Sequence, residues 1–273
     1  MLKIGQTSGG LPLTEETFKT FRTSGIEAIE IRDPNPGYDA VDYPALTRLA
    51  RTFGIELWSF HLPLVASDIS KPDEGDAAVR RAMRLIDEAA ANGIRKFVIH
   101  ASAEPISDDE RSERLARARE NLARLAEFAG PKGAVICVES LPHTCLGNTS
   151  DEILTLIGAH EGLRVCLDVN HLREDPVAFV RKVGDRIVTT HISDRGIRSD
   201  RHWLPGEGRI DWYEFYRALV RSGYRGVWLY EVILDNSRTI TRERPLTSRD
   251  LVRNAREIFD GRFLTVMGIP KED

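Results

Sequence analysis

The alternation of two kinds of segment constrains the fold of this chain more than any other feature. Eight short apolar runs, several of them nearly continuous in β-branched residues, alternate with eight longer segments of helical period. Continuous short apolar runs are typical of strands buried on both faces of a parallel sheet. The runs cover residues 2–5, 26–31, 55–60, 94–100, 134–139, 163–168, 187–192 and 227–231. The helical segments cover residues 14–24, 44–53, 74–92, 108–129, 150–159, 175–183, 211–222 and 247–263.

This alternation predicts a single (β/α)8 barrel, the TIM barrel, that fills residues 1–273 as one domain. Successive strand–helix–strand units cross over right-handed, and eight of them close into a barrel. Such a barrel takes about 250 residues, which the length of 273 allows. A doubly wound open sheet is the structural alternative. The absence of a G-x-G-x-x-G motif after the first run argues against it.

Residue types at the predicted helix ends support the assignment. Thr14 and Asp211 stand where a side chain is expected to cap the first turn of a helix. Gly54 and Gly223 follow helix ends, where a left-handed backbone favours glycine. Trp212, at the start of its helix, is expected to pack in the core.

Charge and composition argue against several classes of function. The chain carries 38 basic and 42 acidic residues, a net charge of −4, so nothing indicates a nucleic-acid surface. No apolar run approaches about 18 residues, the length of a membrane-spanning helix. The first residues lead directly into a strand, which predicts no signal peptide and a cytoplasmic location. The three cysteines are too few and too scattered for a disulfide framework.

Side chains that bind metals stand at the end of one predicted strand after another. In a barrel, the carboxyl ends of the strands carry the chemistry. Carboxylates clustered there would repel one another, and a bound cation removes that cost. Mixed carboxylate and imidazole ligands favour Mn²⁺, Zn²⁺, Co²⁺ or Mg²⁺ over Ca²⁺. The residues concerned are His61, His100, Glu139, Asp168, His171, His191, Asp194, Asp200, His202 and Glu231.

Seven segments along the chain resemble the xylose isomerase-like barrel superfamily, the sugar phosphate isomerases and epimerases, which also includes endonuclease IV. The most specific are the Pro-Gly-Glu-Gly-x-Ile-Asp-Trp stretch that ends at Trp212 and the Asp-x-x-His pair of Asp168 and His171. The segments are 61–64, 98–100, 138–142, 167–171, 190–194, 200–212 and 229–231.

The resemblance implies one divalent metal ion held by Glu139, Asp168, His191 and Glu231. Glu139 and Glu231 would also be the catalytic pair. One would take a proton from a carbon next to a carbonyl, giving an enediolate stabilised by the metal, and the other would return a proton. The activity implied is a metal-dependent isomerase or epimerase of sugars, sugar phosphates or polyols.

The same resemblance implies substrate-binding roles for other side chains. The side chains expected to hold substrate hydroxyl groups are His61, His100 and His171. The cation expected to hold a hydroxyl or a phosphate group is Arg195 or Arg198. The aromatic side chains expected to shape the pocket against a sugar are Trp58, Phe60 and Trp203. Trp58 and Phe60 are equally compatible with the barrel core.

An endonuclease IV-like zinc phosphodiesterase acting on abasic DNA is the main alternative, because the ligand types of a three-zinc site are present. The additional metal ligands would be His61, His100, His171, Asp200 and His202. Several zinc ions would suit phosphodiester hydrolysis. The acidic loop 65–74 and the negative net charge argue against DNA, which requires phosphate contacts from lysine and arginine. The four arginines of residues 238–249 are a candidate basic patch.

Two further alternatives use the same barrel. An inosose dehydratase-like lyase would expel water from a polyol with the same metal and base, and an inactive barrel would only bind sugar. We expect one divalent ion for the isomerase, epimerase or lyase and up to three zinc ions for the nuclease. We expect a small sugar or polyol as the partner rather than nucleic acid or a membrane. Analogy with other barrel enzymes suggests a homodimer.

Overall fold

A computed structural model of the chain describes residues 1–34, 37–63, 68–197 and 200–271. Within these ranges, eight parallel strands form one sheet in the order β7-β6-β5-β4-β3-β2-β1-β8. The barrel closes between β7 and β8, where the N–H of Ile192 donates to the carbonyl of Leu229 at 2.8 Å. The predicted (β/α)8 barrel is confirmed. The strands are β1 (Lys3–Thr7), β2 (Ala28–Ile31), β3 (Glu56–His61), β4 (Lys96–Ile99), β5 (Val135–Glu139), β6 (Arg164–Asp168), β7 (Ile187–His191) and β8 (Val227–Tyr230).

In the part of the chain that the structure describes, eight α-helices alternate with these strands and bury their apolar faces against the outside of the barrel. Among the described residues, none of the helices is both long and apolar enough to cross a membrane. The helices are α1 (Glu15–Ser24), α2 (Tyr43–Phe53), α3 (Gly75–Ala91), α4 (Asp108–Ala129), α5 (Ser150–Ile157), α6 (Pro176–Val183), α7 (Trp212–Arg221) and α8 (Ser248–Phe259).

The predicted caps at the helix ends are present, although α5 ends at Ile157 rather than at residue 159. The side chains of Thr14 and Asp211 accept hydrogen bonds from backbone N–H groups in the first turns of α1 and α7. Gly54 follows α2 with a left-handed φ of 63°. The end of α8 is different: it stops at Phe259, not at Phe263, because Gly261 turns the chain with a φ of 67°.

A pair of short antiparallel strands, which the apolar pattern did not predict, covers one side of the rim. It joins β9 (Ile240–Arg242) to β10 (Gly268–Pro270). Both strands are only three residues long, and their outward residues are exposed. Such short segments carry too few residues to show a period of two.

A shift in strand register sets which side chains of β3 enter the barrel. Ile29 of β2 pairs with Leu57 and Glu30 pairs with Ser59, so Trp58 is left as an extra residue in β3. Trp58 packs inside the barrel, where its indole N–H donates to Thr189 at 2.9 Å. Ser59 then faces Glu30. The shift therefore brings a hydroxyl beside a buried carboxylate at the bottom of the site described next.

Candidate metal centre

Four side chains at the carboxyl ends of neighbouring strands converge into one buried cluster. They are Glu139 on β5, Asp168 on β6, His191 on β7 and Glu231 directly after β8, and one ligand atom of each lies within 4.8 Å of the others. The Nδ1 atom of His191 lies 3.1 Å from Glu139, 3.8 Å from Asp168 and 2.7 Å from Glu231. None of the four is more than 4% exposed. These are the four residues that the family resemblance implied as ligands of one divalent ion.

The unsatisfied oxygens of this cluster fit a cation. Oδ2 of Asp168 and Oε2 of Glu231 are buried and have no hydrogen-bond partner among the described residues. Oε2 of Glu231 lies close to His191 Nδ1, but without the geometry of a hydrogen bond. A buried carboxylate oxygen without a donor is costly, and a metal ion in contact with both oxygens would remove that cost. Three carboxylates and one imidazole are a suitable ligand set for Mn²⁺, Zn²⁺, Co²⁺ or Mg²⁺.

Electrostatics in the cluster depend on the positive groups around the carboxylates. Burial alone raises the pKa of the Glu139 carboxyl, but the charges of His191 and His100 outweigh it and hold that pKa well below its usual range. Burial acts in the same way on Glu231, whose pKa is held well below its usual range by Arg32 and His191. Burial raises the pKa of Asp168. The cluster therefore requires positive charge, which a divalent cation would supply.

A second group of ligand types lies on the other side of Glu139. The Nε2 atoms of His61 and His100 are each 3.0 Å from Oε2 of Glu139, while its Oε1 atom faces His191. The two oxygens of this one carboxylate thus point to two different sets of imidazoles. His61, His100 and Glu139 together form a further candidate metal-binding group.

A third group lies at the rim and includes the Asp-x-His motif. Asp200 lies 3.2 Å from His202 and 3.9 Å from His171, and the three form a candidate metal-binding group. The hydrogen bond from His202 lowers the pKa of Asp200 to about 2. His143, an exposed loop residue, lies 3.9 Å from the same carboxylate. All five additional ligands predicted from the sequence therefore fall into two compact groups.

Glu30 and Arg32 belong to the site although the predicted pattern of strand ends did not include them. Glu30 lies 2.9 Å from Nε2 of His191, and Arg32 forms an ion pair with Glu231. Glu30 is fully buried within β2, between Ile29 and Ile31. A charged residue inside an apolar strand is the signal that would have found it, because a buried charge must be partnered. Arg32 follows the end of β2 and carries the same positional signal as the strand-end histidines.

A cavity of about 360 Å³ lies beside the metal-type cluster, at the ends of β1, β2 and β8. Glu231, Arg32 and His202 line it, whereas Glu139 is not among its described lining residues. Gln6 also lines it, and its buried amide oxygen lacks a hydrogen-bond partner within the described ranges. A pocket of this size, with a few convergent polar groups, suits a small polar ligand.

The cation predicted to hold substrate lies elsewhere. Arg195 lines a separate cavity of about 420 Å³ between the beginnings of α6 and α7, together with Arg173 and Arg209. That cavity shares none of its lining residues with the one beside Glu231. The expected role of Arg195, holding a hydroxyl or a phosphate group of the substrate, stays a prediction, and the structure locates the side chain at this second cavity. Arg198, the alternative cation, lies outside the described residues.

The predicted aromatic side chains are packed in the protein interior. Trp203 is 3% exposed, and its indole N–H donates to Thr239 at 3.0 Å. Phe60 points outwards from β3 and packs against Tyr43 of α2. Trp58 lies inside the barrel, as described above. Of the two interpretations of Trp58 and Phe60, the structure supports barrel core, and none of the three lines the cavity beside Glu231.

The carboxylate of Asp194 organises the Pro-Gly-Glu-Gly turn. It accepts hydrogen bonds from the N–H groups of Gly206 at 2.8 Å and Gly208 at 3.0 Å, and from the indole of Trp212 at 2.8 Å. The N–H groups of residues 195 and 210 donate to it as well. Asp194 is therefore a structural anchor for the loop rather than a metal ligand. The predicted packing role of Trp212 is confirmed, since it is 1% exposed.

Comparisons with known proteins agree with this architecture. A model of the family described as xylose isomerase-like TIM barrel matches residues 18–258. A 3-dehydroshikimate dehydratase of Pseudomonas putida is 26% identical over 246 residues, which are 85% of this chain and 37% of that protein. A fructoselysine 3-epimerase of Escherichia coli O157:H7 is 30% identical over 125 residues, 43% of this chain and 45% of that protein. The chain thus spans less than half the length of either relative.

Solved structures extend the likeness over nearly the whole chain. A D-tagatose 3-epimerase-like protein superposes with a TM-score of 0.82 at 20% identity, covering 95% of this chain and 97% of that one. A D-psicose 3-epimerase superposes with a TM-score of 0.77 at 19% identity, covering 94% and 99%. At these identities the superpositions show the fold. With the family model matching most of its length, the chain belongs to the xylose isomerase-like TIM barrel family.

Proposed function

We propose that the chain is a divalent-metal-dependent enzyme that moves a proton on a carbon next to the carbonyl of a sugar or polyol, as an isomerase or epimerase. The observation that carries this proposal is the buried cluster of Glu139, Asp168, His191 and Glu231, with its two unsatisfied carboxylate oxygens beside a polar cavity. The likeness to a fructoselysine 3-epimerase and to structures of sugar 3-epimerases supports the same substrate class.

The four clustered residues would hold the ion. When bound, a divalent cation there supplies a Lewis acid that makes a proton next to a carbonyl easier to remove. Glu231 lines the cavity and its pKa is held low, so it is ionised at neutral pH. It would be the group that accepts that proton. Glu139, which contacts the same Nδ1 atom of His191 as Glu231 does, would be its partner in returning the proton. Gln6 and Arg32 would orient the substrate from β1 and β2.

Hydrogen exchange tests the proton transfer directly. Ketohexoses incubated with enzyme and Mn²⁺ in D₂O should gain deuterium at a carbon next to the carbonyl. Glu231→Gln and Glu139→Gln should each abolish this exchange. Glu257→Gln is the matched control, because Glu257 is a buried glutamate of α8 that accepts two hydrogen bonds from Thr265 and touches no ligand of the cluster. Exchange that survives both site variants would overturn the scheme.

Dehydration would begin with the same proton removal and differ only in the step that follows. The likeness to a dehydratase is a reason to test for it. That relative is matched over a larger share of this chain than the epimerase. After the same proton is removed, a hydroxide would leave from the neighbouring carbon, and the product would be lighter by one water. Mass spectrometry of products from ketoses and from 3-dehydroshikimate separates the two reactions.

Phosphodiester hydrolysis is a second candidate function because two further ligand groups, His61–His100–Glu139 and His171–Asp200–His202, adjoin the first. The candidate basic patch gives it little support, since Arg242 is fully buried against Glu207 and Arg244 is paired with Asp250. Elemental analysis distinguishes the candidates. The isomerase predicts about one ion per chain, and the nuclease about three zinc ions that decrease in His61→Ala. Nicking of an abasic duplex that is lost in His202→Ala would reverse the ranking.

A further inference from the structure

The opposite edge of the His191 ring is held by a buried carboxylate that is not part of the ligand cluster. Oε1 of Glu30 lies 2.9 Å from Nε2 of His191, and Oε2 of Glu30 accepts a hydrogen bond from the hydroxyl group of Ser59 at 2.7 Å. Glu30, Ser59 and His191 are each 0% exposed. A chain of three buried side chains therefore runs from β3 through β2 to β7 and ends at the ring whose Nδ1 faces the cluster.

Burying Glu30 costs free energy that the fold alone does not require, because the neighbouring inward positions of β2 and β8, at Ala28 and Leu229, are apolar. The contacts show what this carboxylate does. A carboxylate only accepts hydrogen bonds, so Nε2 of His191 must carry the proton that it donates to Glu30. Nδ1 lies 3.1 Å from Oε1 of Glu139 and also faces Asp168 and Glu231, so it is the ring nitrogen that would face a cation bound among these carboxylates.

We propose that Glu30 is a positioning residue for a divalent cation at the Glu139–Asp168–His191–Glu231 cluster. By accepting a hydrogen bond from the Nε2–H group, it fixes the tautomer and the rotation of His191, so that the lone pair of Nδ1 would be available to the ion. The hydroxyl of Ser59 fixes Glu30 in turn. Partners of this kind typically contribute a factor of about 10–100 to metal affinity. The inference rests on the proposed function only in placing an ion at these four ligands.

Titration calorimetry of chelator-treated full-length protein with Zn²⁺ tests the inference without any substrate. Glu30→Ala should weaken zinc binding by about 10- to 100-fold. Glu30→Gln should bind more tightly than Glu30→Ala, because its amide oxygen can still accept from Nε2. Ser59→Ala should give a smaller loss in the same direction, and it keeps the test open if Glu30→Ala does not fold. Glu257→Gln should bind zinc as the wild type does.

A second readout separates positioning from a general structural role. With Co²⁺ in place of Zn²⁺, the visible absorption of Glu30→Ala should differ from that of wild type, because the imidazole is no longer held. Zinc affinity and cobalt spectrum unchanged in both Glu30 variants would overturn the inference, even if the variants unfold at lower temperature.

The same measurements distinguish this inference from the proposed function. A wild-type chain that binds no divalent ion would overturn both. A wild-type chain that binds zinc with the expected dependence on Glu30, yet exchanges no proton of any sugar, would uphold the role of Glu30 and overturn the isomerase.

Discussion

The buried ion pair between Glu207 and Arg242 gives the sharpest test of how the rim is held together. Glu207 belongs to the Pro-Gly-Glu-Gly turn and Arg242 to β9, and both side chains are 0% exposed. The guanidinium donates to the carboxylate at 2.6 and 3.1 Å. It also donates to the carbonyl oxygens of Ile233 and Asp235, two residues that line the cavity beside Glu231. The pair therefore joins the turn, the short sheet and one cavity wall.

Removing one partner leaves the other charge buried without compensation. Glu207→Leu should lower the free energy of unfolding by about 3–5 kcal/mol, the usual cost of breaking such a pair. Arg242→Met should cost about as much, since it leaves the Glu207 carboxylate unpaired and also frees two backbone carbonyls. The double variant removes both charges together, so it should cost less than the sum of the single variants by about 3 kcal/mol.

The free energy of unfolding of the wild type, the two single variants and the double variant can be measured by urea unfolding at pH 7. Tryptophan fluorescence follows the transition, because the chain contains four tryptophans. The comparison requires equal dependence of the unfolding free energy on urea in each variant. Two results would refute the assignment of a coupled buried charge pair. One is that each single substitution lowers the free energy of unfolding by less than about 1 kcal/mol. The other is that the losses of the single variants simply add in the double variant.

Three further predictions concern other parts of the molecule. In Gly208→Ala the new Cβ would lie well inside 3.0 Å of the Asp194 carboxylate, so thermal unfolding should show a larger loss than in Gly130→Ala, whose Cβ meets nothing within 4 Å and whose backbone is helical. Equal losses would contradict the anchor role of Asp194. Hydrogen bonds from Arg244 and Thr247 hold the pKa of Asp250 below its ordinary 3.8. The difference in unfolding free energy between wild type and Asp250→Asn should therefore be fully present at neutral pH and should shrink as the pH falls below 3.8. Urea titrations that give the same difference at every pH would refute this. Zn²⁺ at about 100 times its dissociation constant should raise the stability of the wild type in thermal unfolding by about 2.7 kcal/mol. Asp168→Asn should lose most of this stabilisation by zinc. Equal stabilisation of both proteins would show that Asp168 is not a ligand.

The sequence predicts the barrel and the placement of the metal-type ligands for one physical reason. Parallel strands end at the same rim, so polar residues at strand ends must meet there. This rule applies to Glu139, Asp168, His191 and Glu231. Their convergence could therefore be predicted from their positions at strand ends alone. Their roles as ligands remain predictions that the zinc and exchange experiments test.

The parts that sequence patterns did not predict depend on contacts between distant segments. Glu30 reaches His191 across 161 positions of the chain, and a shift of strand register brings it beside Ser59. Arg195 stands two residues after Ser193, close to the ligands in sequence, yet the turn of the loop directs it into another cavity. Strand-end position fixes where a backbone lies, whereas the direction of a loop side chain depends on the local path of the loop.

The loop between β7 and α7 is closed on itself by Asp194, which holds the first residue of the loop and the returning turn with the same carboxylate. The segment between these two attachment points carries Asp200 and His202, so one carboxylate fixes both ends of the stretch that holds this rim group. In polymer terms the loop is a ring closed by hydrogen bonds. Removing the Asp194 carboxylate would therefore return to the segment the conformational entropy that closing the ring costs.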